Sequence, residues 1–123
     1  MSAVLQVAER DLGDVTILQI KGQLILDEGD MPLRKNIDAL VEQGHVNLVF
    51  DLHDVSRLDS AGIGTLVSSY LMTHRHGGDL KLLHVPPRAN RLLTLTKLAS
   101  VFEMYDSEDA VVDSFQPGTL RAR

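Results

Sequence analysis

The feature that most restricts the fold of this chain is a pair of short apolar runs, Val46-Asn47-Leu48-Val49-Phe50-Asp51-Leu52 and Leu80 to Val85. A run of strand length with little polar alternation suits a strand covered on both faces, as in the middle of a parallel sheet. A helical pattern follows each run. From Ser60 to His76 the residues Ile63, Leu66, Val67, Tyr70 and Leu71 form one apolar stripe, and Gly77-Gly78 ends it. Pro86-Pro87 opens a third helix, Pro being tolerated in a first turn, with Leu92, Leu93 and Thr96 expected to face the core.

Upstream, Leu33, Ile37, Leu40 and Val41 recur at helical spacing after an expected N-cap at Asp30, and Gly44 can end that helix in the left-handed conformation. Gly13-Asp14 is a turn signal between a strand near Val4 to Val7 and a β-rich segment from Val15 to Ile20. A short strand around Val101 to Met104 and a last helix after Asp106-Ser107, carrying Ala110, Val111, Ser114 and Phe115, complete the pattern. The expected fold is α/β: an N-terminal β-hairpin, then strands alternating with helices in a mixed, mostly parallel sheet joined by right-handed crossovers. One domain is expected over 1–116 and a flexible tail over 117–123.

Composition narrows the function classes. A chain of 123 residues with 44% hydrophobic and 24% charged residues has the make-up of one globular core. The absence of cysteine removes disulfides, thiolate metal sites and thiol nucleophiles. Twelve Lys plus Arg against seventeen Asp plus Glu give a net charge of −5, the wrong sign for neutralising a phosphate backbone. Two Tyr, three Phe and no Trp offer few platforms for stacking bases, so nucleic acid is not an expected partner. The first residues do not resemble a signal peptide, and no apolar run approaches the roughly 20 residues of a membrane span. A cytoplasmic protein is the expectation, a monomer or a weak dimer.

The segment from Val55 to Leu66 joins the central strand to the second helix, at the edge where open α/β sheets place their sites. Gly62-Ile63-Gly64 begins a dinucleotide fingerprint, but Val67 occupies the third glycine position, and no Gly-Lys-Ser/Thr follows. A hydrolase elbow needs Gly two residues before the serine, where Leu58 stands. His74 and His76 are two apart on a helix and point to different faces, while His45, His53 and His84 are scattered, so no metal site is expected. There remains Asp59-Ser60 at a helix start. The simplest reading is an N-cap, worth about 1 kcal/mol. A functional reading draws on the small residues Ala61, Gly64, Thr65, Ser68 and Ser69, expected opposite the apolar stripe as a flat docking face. Gly64 calls for a reason, since glycine inside a helix costs about 1 kcal/mol, and close approach by another backbone would supply one. A phosphate on Ser60 would add about −1.5 to −2 charges at the positive end of the helix, altering the interface without unfolding the domain.

The run Leu58-Asp59-Ser60-Ala61-Gly62-Ile63-Gly64, with the preceding strand Asn47 to Asp51, resembles the signature of the anti-sigma factor antagonists, STAS-domain proteins. Gly22, the Leu33 helix, the Gly44 break, Gly77-Gly78 with Leu80-Lys81-Leu82, and Leu98 to Phe102 extend the resemblance over most of the chain. It implies a STAS fold with helices mainly on one face of the sheet. It also implies a non-enzymatic partner switch needing no cofactor. An anti-sigma factor with serine kinase activity binds the unmodified protein and phosphorylates the residue matching Ser60, and a PP2C-type phosphatase reverses the modification. ATP belongs to that partner. The partner-binding residues implied are Asp59, Ser60, Ala61, Gly62, Gly64, Thr65 and Ser68. Ile25 departs from the pattern, because an acidic residue often follows the Gly-x-Leu matched by Gly22-Gln23-Leu24; the nearest acids are Asp27 and Glu28. Two other functions predict different behaviour. In a non-switching structural STAS subunit of a scaffold or transporter assembly Ser60 would only cap its helix, and in a small hydrolase it would be needed for turnover.

Overall fold

The computed structural model describes residues 5–26 and 30–115. Val4, Asp27, Glu28, the side chain of Asp30 and the tail from Gln116 lie outside the described residues. The chain runs β1 (Gln6–Leu12), β2 (Val15–Leu24), α1 (Asp30–Glu42), β3 (Asn47–Leu58), α2 (Ser60–Arg75), β4 (Asp79–Leu83), α3 (Pro87–Leu95), β5 (Met104–Tyr105) and α4 (Glu108–Asp113).

The strands form one five-stranded sheet in the order β1-β2-β3-β4-β5. β1 and β2 are antiparallel and in register up to Leu12↔Val15, so Gly13-Asp14 is the whole turn, with Gly13 at φ +70°. All later pairs are parallel. A sheet whose parallel strands are added in sequence order sends right-handed crossovers to the same side. Accordingly, Leu33 and Ile37 of α1, Leu66 of α2 and Leu93 of α3 share one core with Leu18, Phe50 and Leu82 of the sheet. Each fully buried side chain of this kind contributes about 1.5–3 kcal/mol of hydrophobic stabilisation. The opposite face is covered by α4, where Val111 packs on Val15, Ile17, Val49 and Leu83. Those two coverings explain the unbroken burial of β3 from Leu48 to Leu52.

Several sequence expectations are corrected. The first strand lies at Gln6–Leu12 rather than near Val4 to Val7. β3 runs on to Leu58, so most of the supposed loop after Leu52 is strand. It pairs with β4 only over Asn47–Asp51 but with β2 as far as Leu24↔Leu58, so β2 and β3 together project past the end of β4. In α3, Leu93 is buried, but Thr96 is exposed and ends the helix, its hydroxyl donating back to the Leu92 carbonyl. Val101 and Phe102 sit in a turn, and the last strand is Met104–Tyr105. Ala110 of α4 faces outward.

Candidate functional site

The projecting end of β3 delivers Asp59 and Ser60 to the carboxyl edge of the sheet. Asp59 is the N-cap of α2 in extended conformation, and Ser60 is the first helical residue. The Asp59 carboxylate is used at both oxygens: Oδ1 accepts from the Gly62 N–H at 3.0 Å, and Oδ2 accepts from the Leu26 N–H at 3.0 Å. One side chain therefore ties the start of α2 to the chain leaving β2. Partial burial opposes ionisation of this carboxyl. The backbone N–H groups of Leu26, Gly62, Ala61 and Asp59 itself outweigh that effect and hold it below the usual carboxylate range. With capping assigned to Asp59, the Ser60 side chain stands on the exposed surface.

Gly62 marks the tightest packing at the site. A Cβ there would lie 2.2 Å from the Leu24 carbonyl oxygen and 2.5 Å from Leu58 Cδ1, so the helix can seat against the end of β2 only without a side chain. The close backbone approach expected at Gly64 thus occurs at Gly62. At Gly64 the nearest atom to a built Cβ is Nη2 of Arg34 at 3.7 Å, an ordinary contact.

The small-residue flank is not the open face expected of it. Gly62, Thr65 and Ser69 are buried, with Thr65 at 0% and Ser69 at 3% exposure, while Leu71 of the supposed apolar stripe is 46% exposed. The buried residues of the helix are Gly62, Ile63, Thr65, Leu66, Ser69 and Thr73. Ile63 and Leu66 of the expected stripe are thus buried, Val67 and Tyr70 pack against the core, and the buried face widens to take in hydroxyl side chains. Hydroxyl bonding within the helix permits this. Thr65 donates to the Ala61 carbonyl at 3.2 Å, Ser69 to Thr65 at 2.7 Å and Thr73 to Tyr70 at 2.9 Å, so each polar group enters the interior already paired. Of the sequence-derived binding residues, Ser60 is exposed, Asp59, Ala61, Gly64 and Ser68 are partly exposed, and Gly62 and Thr65 support the surface from beneath.

Beside Ser60 the structure adds features that sequence reasoning missed. A cleft of about 550 Å³ separates the end of β3 (residues 55–58) from the start of α3 (residues 86–89). Arg57 and Arg88, both exposed, stand among its lining residues. Neither arginine belongs to a motif, and only the parallel pairing of β3 with β4 brings the two segments together. On the other side of Asp59, Leu26 is 61% exposed. The histidines have local roles: His74 pairs with Asp79 at 2.9 Å, His76 with the Met72 carbonyl at 2.9 Å, and His84 with Asp51 at 3.3 Å. Among the described residues no group of three acidic or histidine side chains could hold a metal ion.

Fold and site together define a small α/β module that displays a helix-start serine at the carboxyl edge of its sheet. The model of the STAS domain matches residues 6–111, and the chain belongs to that family. An anti-sigma F factor antagonist of Paenibacillus polymyxa is 26% identical over 104 residues, spanning 85% of this chain and 89% of that protein. Two solved structures share the fold. An anti-sigma factor antagonist from Mycobacterium paratuberculosis superposes with a TM-score of 0.82 at 24% identity, over 95% of this chain and 100% of that one. The Bacillus cell fate determinant SpoIIAA in its phosphorylated form superposes with a TM-score of 0.71 at 18% identity, over 92% of this chain and 100% of that one.

Proposed function

We propose that this protein is an anti-sigma factor antagonist that works as a phosphorylation-controlled partner switch. With Ser60 unmodified it binds an anti-sigma factor that is also a serine kinase; with Ser60 phosphorylated it releases that partner, and a PP2C-type phosphatase restores the binding form. Its role is to bind, not to catalyse, and it acts in the cytoplasm. The observation that carries this reading is the position of Ser60, exposed on the first residue of α2 while Asp59 performs the capping. A serine relieved of capping can be modified without loss of the helix start. The named relative from Paenibacillus polymyxa and the phosphorylated form of SpoIIAA supply the biochemical setting.

The partner surface in this reading centres on Asp59, Ser60, Ala61, Gly64 and Ser68, with Gly62 and Thr65 holding it from below. A phosphate would add negative charge to a chain already at −5, repelling an acidic partner or stranding charge against an apolar one. Calorimetric titration with the purified cognate anti-sigma factor tests the switch. Ser60→Ala is expected to bind as the unmodified protein does. Ser60→Glu is expected to bind at least tenfold more weakly, about 1.4 kcal/mol, with an unchanged melting temperature. Equal binding by the two variants, or an unchanged intact mass after incubation with kinase and ATP, would reject it.

A further inference from the structure

Arg34 is a cation with no anionic partner among the described residues. It lies on α1, partly buried, and its Nε is buried with no hydrogen-bond partner among the described residues. None of the ion pairs among the described residues includes it. A buried guanidinium nitrogen left unpaired requires an explanation. Its direction supplies one. Nη2 reaches across from α1 to α2 and rests 3.7 Å from the position of a Gly64 Cβ. Gly64 follows Ser60 by four residues, so the two lie on the same flank of α2 with Cβ positions about 5–6 Å apart. Glycine leaves the path between them clear of any side chain.

We propose that Arg34 is the intramolecular receptor for a phosphate on Ser60, a step that rests on Ser60 being the modified residue. The guanidinium moves along the Gly64 lane by side-chain rotation and donates two N–H groups to phosphate oxygens, which the planar fork of arginine suits and a lysine ammonium does not. The anion is then held against the groove between α1 and α2. Phosphorylation would change the shape of this flank as well as its charge, by drawing Arg34 over Gly64. The phosphate remains a net negative group, so the pairing orients it without cancelling it.

The test uses the full chain with phosphoserine installed genetically at position 60, which makes it independent of any kinase. Titration followed by phosphorus NMR is expected to place the second ionisation of the phosphate below that of an exposed phosphoserine. Arg34→Gln is expected to raise it by about one unit, Arg34→Lys to recover only part of the difference, and Arg57→Gln to leave it unchanged. The Nε–H resonance of Arg34 in the unsubstituted protein, shifting and becoming protected when the phosphate is present, gives a readout that needs no variant to fold. Identical titrations with and without Arg34, or loss of the effect in Arg57→Gln instead, would overturn the assignment. Failure of a cognate kinase to modify Ser60 would count against the switch alone and leave the NMR result standing.

Discussion

Asp59 joins two elements through one carboxylate, and substitutions can separate its two bonds. Asparagine retains a carbonyl that can accept from Gly62 N–H, but its amide cannot accept from Leu26 N–H; alanine loses both. Asp59→Ala is expected to cost about 1–2 kcal/mol in urea unfolding at pH 7, with Asp59→Asn costing less. The carboxyl is held below its ordinary value in the folded protein, so its contribution is fully present above the unfolded value near 4 and is lost as pH falls through the folded one. The stability gap between the native protein and Asp59→Ala should therefore narrow below about pH 4. A gap independent of pH would show that the charge contributes nothing. Asp59 and Ser60 were legible in the sequence as a helix-start pair, but which residue caps and which is displayed was decided by the fold.

At the scale of the element, α2 shows where pattern reading succeeds and where it errs. Its limits were plain from Asp59 at one end and Gly77-Gly78 at the other. Its apolar stripe is buried or packed on the core at Ile63, Leu66, Val67 and Tyr70. The buried face is wider than that stripe, because Thr65, Ser69 and Thr73 count as polar in any hydropathy pattern yet bond within their own helix. The two glycines of the helix have different causes and should respond in opposite directions. Gly62→Ala places a methyl against the Leu24 carbonyl and should destabilise by about 1–3 kcal/mol through forced displacement. Gly64→Ala meets only an ordinary contact with Arg34 and should stabilise by up to about 1 kcal/mol through helix propensity. Urea unfolding of both variants checks the pair, and equal destabilisation would contradict the packing described.

Over the whole molecule, the two faces of the sheet are secured by different means. The helical face holds a continuous apolar core. The other face depends on α4, a short helix fastened by the buried Lys81 of β4. Lys81 Nζ donates to the Ser114 carbonyl at 3.1 Å and to its hydroxyl at 2.9 Å, lies 3.2 Å from Glu103, and stands 4.4 Å from the Phe115 ring centroid. Lys81→Met retains the apolar stem but removes the donor, and a loss of about 1–3 kcal/mol is expected. Hydrogen exchange should quicken first at the amides of α4 while those of β3 remain protected. Uniform loss of protection would show that α4 does not open independently.

The amino-acid sequence by itself determined the strand and helix alternation, the Gly13-Asp14 turn and the Asp59-Ser60 junction, because periodicity, turn residues and caps act over a few neighbouring residues. Tertiary structure alone decided that Thr65, Ser69 and Thr73 of α2 are buried, how far β2 and β3 project beyond β4, and the meeting of Arg34 with Gly64. Those outcomes depend on how helices from separate crossovers pack against one sheet. Contacts between residues distant in the chain leave no local trace in the order of its side chains.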